Sequence, residues 1–393
     1  MSKIENSNID IQIIYLISCA LNGREASKDD INNIDLILLY KVAKAHAITV
    51  IIYNILEKSG AFKDASKDII ELWKTERDTA VYKNILLDQE RESILEELEA
   101  NKIWCIPLKG SVVKKWYPDS SMREMSDNDI LYDKSYKLKV KEIFVNRNYT
   151  VKYIGDGVHD VYIKPPVYNF EMHSSLFSND FDYKFFLKYK DVKDMLILDD
   201  GKRYRYHFSD EDLYVYITAH SYKHYAKRGT GLRTLIDNYI INHRNIEKLN
   251  WNYIESELER LDIKNYERLI REISDRFFAP VSSVSEIQLT ENEKSILYNF
   301  LKAGVYGNIK IYVDNILKSM EKDDKGRIYN VKLRYIFSRL FPGKNWCQKN
   351  YPFFYKHPYF MPLLWTYRLL NGILRNGKQV YKEFCTVIKC KYN

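Results

Sequence analysis

Apolar residues recur at the spacing of an α-helix from the start of the chain. Ile11, Ile14, Tyr15, Ile17 and Ser18 open one amphipathic stretch. Leu36 to Leu56 forms a second, through Leu39, Val42, Ala43 and Ile51, and Ile69 to Leu98 a third. Gly23 and Gly60 interrupt the pattern, so residues 1–100 read as a helical region. The period then changes. Residues 102–107, KIWCIP, form a short β-rich run, and residues 127–132 read as a second strand. Between them a helix is predicted over 111–117, ended by Pro118. A helix follows over 135–147, where Leu138, Val140, Ile143 and Phe144 are apolar, and then strands at 149–154, 159–164 and 167–176. Gly155-Asp156-Gly157 marks a turn between the first two of these. This order, within residues 101–180, suits a small mixed sheet with helices on one side.

From residue 182 the helical spacing returns. Ser209-Asp210-Glu211-Asp212 is a helix-start signal, and Leu213, Tyr216, Ile217 and His220 follow on one face, so a helix is predicted over 210–227. Further helices are expected over 230–243, 251–260, 264–277 and 290–320. The charged run from Glu321 to Arg327 reads as a linker. It separates a helical domain, 181–320, from a tail, 321–393. The fold class expected is α+β, a small mixed sheet with helices flanked by helical segments.

Composition narrows the classes. With 46% hydrophobic and 14% aromatic residues over 393 positions, the chain can bury a sizeable core and does not resemble a disordered one. Five cysteines with no C-x-x-C argue against a disulfide framework or a zinc knuckle and fit a reducing cytoplasm. The start, MSKIENSNID, carries acids before a short apolar run, which is no signal peptide. No run approaches a membrane-spanning length. Residues 330–393 hold twelve Lys/Arg against one acid, Glu383, while the net charge of the whole is +8, so the remainder is slightly acidic. That placement argues against a catalytic body that grips long nucleic acid.

The chemistry concentrates in residues 108–131, LKGSVVKKWYPDSSMREMSDNDIL. Gly110-Ser111 opens a predicted helix, where backbone N–H groups can approach a phosphate. Asp127 and Asp129 lie at i and i+2 on a predicted strand, so their carboxylates share a face. Such a pair beside a phosphate-binding turn can hold Mg²⁺ for nucleotidyl transfer. Read alone, a D-x-D is two solvated carboxylates at a strand edge. Ile130-Leu131-Tyr132 next to it implies a half-buried strand, and buried carboxylates need a partner. Glu171 is the third carboxylate, on a strand whose Phe170 and Met172 point the other way, with His173 beside it. An outward polar face on an edge strand is the plainer reading of that pair.

Order and spacing resemble the polymerase-beta-type nucleotidyltransferase superfamily, and more closely a bacterial family of uncharacterised nucleotidyltransferases. The resemblance is carried by Leu108-Lys109-Gly110, Tyr117-Pro118, Arg123, Ser126-Asp127-Asn128-Asp129-Ile130-Leu131 and Glu171-Met172-His173. His220, His224, Arg233 and Asp237 extend it, and Ala43-Lys44-Ala45-His46 begins it, so that it spans residues 35–245. Two features depart from the pattern. Fifteen residues separate Ser111 from Asp127, a longer gap than usual, and Asn128 replaces an aliphatic residue. The resemblance implies a polymerase-beta-like core that moves a nucleoside monophosphate from an NTP to an acceptor hydroxyl. Asp127, Asp129 and Glu171 would be metal ligands for Mg²⁺ or Mn²⁺. Lys109, Gly110, Ser111, Arg123, His173, His220 and His224 would bind nucleotide or acceptor.

Each flanking feature has a plainer reading. Lys114 and Lys115 suit a solvated helix face as well as a phosphate. His220 and His224, four apart, suit a helix surface as well as a cleft, and Arg233 with Asp237 suits a structural ion pair. The tail mixes Phe, Trp, Leu and Ile with Arg368, Arg375 and Lys378. It reads either as a helix packed on the body or as one lying on an anionic membrane surface. A protein of another class fits the same residues: a nucleotide-binding scaffold without turnover, in an envelope polysaccharide system.

Overall fold

The computed structural model describes residues 3–32, 34–153, 158–179, 181–245, 248–305, 307–322, 328–343, 347–348 and 351–389. The turn expected at Gly155-Asp156-Gly157 and the charged linker from 323 to 327 lie outside the described residues. The chain divides into two compact units. One comprises Met1–Lys223 with Gly231–Val305, and the other His224–Thr230 with Tyr306–Asn393.

The first unit opens with helices α1 (Lys3–Leu21), α2 (Lys28–Ile31), α3 (Leu36–His46), α4 (Thr49–Lys58) and the long α5 (Lys67–Ala100). One continuous helix was expected over Leu36–Leu56. It breaks at Ala47, which adopts a left-handed conformation (φ 50°) that ends α3. A left-handed alanine is costly, so apolar periodicity alone gave no sign of the stop. Strand β1 (Cys105–Pro107) is followed by the four-residue helix α6 (Gly110–Val113), a 3₁₀ turn, and β2 (Asn128–Tyr132). Helix α7 (Lys137–Asn146) leads to β3 (Thr150–Tyr153), β4 (His159–Lys164) and β5 (Tyr168–His173), a strand shorter than expected.

The sheet order is β1-β2-β5-β4-β3. Only β2 and β5 run parallel; the other neighbours are antiparallel. It is the small mixed sheet that the α+β reading expected. Alternation sorts its faces. Ile130, Tyr132, Tyr162, Phe170 and Met172 point into a core made with α5 and α7. Leu131 points the other way, into a larger core shared by the helices before and after the sheet. Asp129 and Glu171 therefore project from the face opposite α5.

After α8 (Tyr183–Tyr189), a region read as helical contains a two-stranded hairpin, β6 (Leu196–Leu198) with β7 (Tyr206–Phe208). Helices α9 (Asp210–Arg228), α10 (Leu232–Asn245), α11 (Trp251–Arg260), α12 (Lys264–Phe278) and α13 (Glu291–Ala303) follow. The helix expected over 290–320 is interrupted at Gly304, whose φ of 62° suits glycine, and resumes as α14 (Ile309–Lys322). The second unit packs α14, α15 (Ile328–Leu340) and a long C-terminal helix around Val313, Leu317, Val331, Tyr335 and Val387.

Candidate active site

The parallel pairing of β2 with β5 sets Asp129 directly opposite Glu171. The antiparallel pairing of β4 with β5 sets His159 opposite His173. Residues paired this way share a sheet face, so these four side chains converge. Asp127 stands just before β2 rather than within it.

Lys109 reaches into this group from the β1–α6 corner. Its Nζ lies 2.6 Å from Asp129 Oδ1 and 4.0 Å from Glu171 Oε2. Its backbone is held at φ 55°, ψ −126°, a region that non-glycine residues rarely enter. His173 Nε2 lies 2.7 Å from the same Asp129 oxygen, so Nε2 carries the proton and donates. Its Nδ1 is buried with no hydrogen-bond partner among the described residues.

The electrostatics follow from this crowding. Burial alone would raise the Asp129 carboxyl, but the Lys109 charge and the His173 hydrogen bond outweigh it and hold Asp129 well below the usual carboxylate range. Glu171 moves the other way. Burial and then the Asp129 charge push it up to about 7, against the pull of Lys109. Asp127 is also raised, by burial and by Asp129. Burial and the Lys109 charge lower His173 to about 4, so it is neutral.

The residues fit a divalent cation. Lys109 is a stand-in: the carboxylates already draw one cation between them, and their oxygens are the donors that Mg²⁺ and Mn²⁺ prefer. A nitrogen-containing alternative exists as well. Ligand atoms of His159, Glu171 and His173 all lie within 4.8 Å of one another. His173 can join such a set through Nε2 only by releasing Asp129, because that nitrogen cannot both donate and ligate.

A family model described as uncharacterised nucleotidyltransferase matches residues 32–279. The chain belongs to this family. No curated protein and no solved structure matches it.

Other residues of this nucleotidyltransferase-family chain hold the site in place. Gly110 abuts Met125 and Arg123 so closely that a Cβ would sit 2.9 Å from the Met125 sulfur. Ser111 is buried and donates its hydroxyl to the Leu108 carbonyl at 2.8 Å, so the hydroxyl is engaged within the turn. Asn128 fits the layer behind: it donates to the Leu87 carbonyl at 2.8 Å and receives Arg91 at 3.4 Å.

Arg123 was read as a phosphate ligand, yet its guanidinium grips Asp237 through two nitrogens, at 2.7 and 2.9 Å. Asp237 also accepts from Tyr117 at 2.6 Å. The helical ion pair expected between Arg233 and Asp237 is replaced by this longer-range one. Among the described residues Arg233 has no carboxylate partner and donates only to the Glu124 carbonyl, at 3.4 Å. Burial and the Arg123 charge lower it to about 10, against the pull of Asp237 and then Asp127. Lys114 is no solvated residue: it is buried between Asn84 and Asp88, at 2.9 and 2.7 Å. Lys115 is exposed.

His46 explains the Ala-Lys-Ala-His motif. Its Nε2 donates to the Leu301 carbonyl at 3.1 Å, and its Nδ1 accepts from the Leu232 N–H at 3.2 Å. It thereby fixes the start of α10, the helix that presents Arg233 and Asp237. His220 lies half-buried on α9, its ring 6.2 Å from that of Tyr216. Tyr216 feels the charges of Lys109, Asp129 and Glu171, so this part of α9 borders the site. His224 is exposed and belongs to the second unit. Sequence reasoning missed His159, Tyr216 and the absence of a carboxylate partner for Arg233 among the described residues. His159 had a usable signal, since it opens a predicted strand whose alternation puts it on the carboxylate face.

Proposed function

We propose that the chain is a metal-dependent nucleotidyltransferase that moves a nucleoside monophosphate from an NTP to an acceptor hydroxyl. One observation carries the reading. Asp129 and Glu171 face each other across parallel strands with a cation, the Lys109 ammonium, seated between them. Asp127, Asp129 and Glu171 would hold Mg²⁺ or Mn²⁺, which when bound neutralises the triphosphate and polarises the attacked phosphorus.

The remaining work belongs to the protein. Backbone N–H groups of Gly110 and Ser111 receive phosphate oxygens, and Arg233 supplies the positive charge that Arg123, engaged by Asp237, does not. Arg123 positions the turn. Glu171, with its proton affinity raised to about 7, is suited to accept the proton of the acceptor hydroxyl. His159, half-exposed with Nε2 3.6 Å from Glu171, can pass that proton to solvent. His173 fixes the Asp129 carboxylate by its hydrogen bond, and His220 would contact the acceptor or base.

Calorimetry with a non-hydrolysable NTP analogue tests the reading. NTP binding should require Mg²⁺ or Mn²⁺ and vanish in Asp129→Asn. Metal-independent binding of equal strength in that variant would overturn it. A scaffold without turnover would bind the analogue yet release no pyrophosphate from NTP.

A further inference from the structure

The second unit carries a surface that the catalytic reading does not use. Its C-terminal helix, Met361–Lys389, exposes Leu363, Tyr367, Leu370, Leu374, Tyr381 and Ile388. Leu374 is 83% exposed and Tyr381 73%. At about 100° per residue these six fall within roughly 60° of arc, a straight apolar stripe along the helix. It runs over 25 residue steps, or about 38 Å.

The opposite face is already occupied. Val387 packs in the core of this unit, and Glu383 accepts from Tyr335 and Arg339. The outward stripe is therefore left uncovered by the described residues of the unit. One flank of it is basic: Lys378, Lys382 and Lys389 are exposed and lie beside the stripe. Aromatic residues just before the helix are exposed as well, Phe353 at 57% and Tyr359 at 77%.

Charge decides what covers the stripe. The helix holds a single acid, Glu383, and it is turned inward. A parallel second copy would set lysine against lysine, and an antiparallel one would set the lysines against the other half of the helix, which offers no acid. No helix among the described residues is long and apolar enough to cross a membrane. We propose that this stripe lies flat on an anionic phospholipid bilayer, with its Leu and Tyr side chains among the headgroups and its lysines on lipid phosphates. Such docking would hold the neighbouring nucleotidyltransferase unit at a membrane surface, whatever that unit does.

Vesicle co-sedimentation of the full chain tests this, with phosphatidylcholine alone and mixed with phosphatidylglycerol. The chain should bind only the mixed vesicles, and salt should weaken the binding. Lys378→Gln/Lys382→Gln/Lys389→Gln should weaken it about a hundredfold at low salt, from about fivefold per basic residue. The neutral pair Leu370→Gln/Leu374→Gln should weaken it at least about tenfold. All changed side chains are exposed, so melting temperatures should not move. Equal binding by both variants, or none by the wild type at low salt, would overturn the proposal. So would light scattering that shows a dimer dissociated by the leucine changes, with no vesicle binding, since the stripe would then pair two copies.

Discussion

Replacing Lys109 by Met removes the ammonium that neutralises Asp129 and Glu171 while keeping the bulk of its stem. The Lys109 and Asp129 side chains are only 19% and 8% exposed, so water screens the loss poorly. Breaking a buried pair from one side costs about 3–5 kcal/mol. The lower end applies here, because Glu171 can take up a proton and His173 still donates to Asp129. A loss of about 3 kcal/mol lowers the melting temperature of a unit this size by about 5 °C. The pH dependence has a definite sign. Lys109 holds the Glu171 carboxyl down, so in the variant it rises further above about 7. A carboxyl raised in the folded state contributes stability that is lost as pH rises through its folded value. The deficit should thus grow as pH rises above about 7. A divalent cation should reverse it, since the cation replaces the missing charge without competing with Lys109. Differential scanning fluorimetry in EDTA, then with Mg²⁺ or Mn²⁺, reads all three effects. If the variant at pH 8 melts with the wild type in EDTA and gains no more from metal, then Lys109 is not a stand-in cation.

Asp127→Asn and Asp129→Asn should each lower metal-dependent turnover at least about a hundredfold in a pyrophosphate-release assay, the loss of several kcal/mol of charge stabilisation. Arg123 and Arg233 should separate. Arg123→Ala breaks the two-pronged pair with Asp237 and should cost about 3–5 kcal/mol in denaturant unfolding. Arg233→Gln should leave stability nearly unchanged and weaken NTP affinity by calorimetry about tenfold or more. His46 is held neutral, lowered from 6.5 to about 4 mainly by burial. Its lowered value means that stability present above pH 6.5 is lost as pH falls toward 4, by about 3 kcal/mol. His46→Gln should flatten that acid slope, measured by urea unfolding across the same range.

What the sequence could reveal depended on how local each constraint was. Alternation is local, so Glu171 and His173 were legible as one face, with Phe170 and Met172 on the other. The register that sets Asp129 against Glu171 links residues 42 apart in the chain, and no spacing rule supplies it. The same holds for Arg123. Its partner Asp237 lies 114 residues away, whereas Arg233 stood one helical turn from Asp237 and looked the nearer choice. Helix continuity misled in a similar way at Ala47. The apolar period runs through it, and the stop comes from a left-handed backbone that α3 and α4 impose by packing separately. The β6–β7 hairpin escaped because three-residue strands give too few alternations to register.

The most direct test follows the label. The chain would be incubated with Mg²⁺ or Mn²⁺ and an NTP labelled at either the α- or the γ-phosphorus, with a cell extract as the source of acceptor hydroxyls. Nucleotidyl transfer predicts that α-label moves to an acceptor while γ-label leaves as pyrophosphate, and that Asp129→Asn abolishes both. Label arriving on the acceptor from the γ-position instead, or wild type and Asp129→Asn behaving alike, would contradict it.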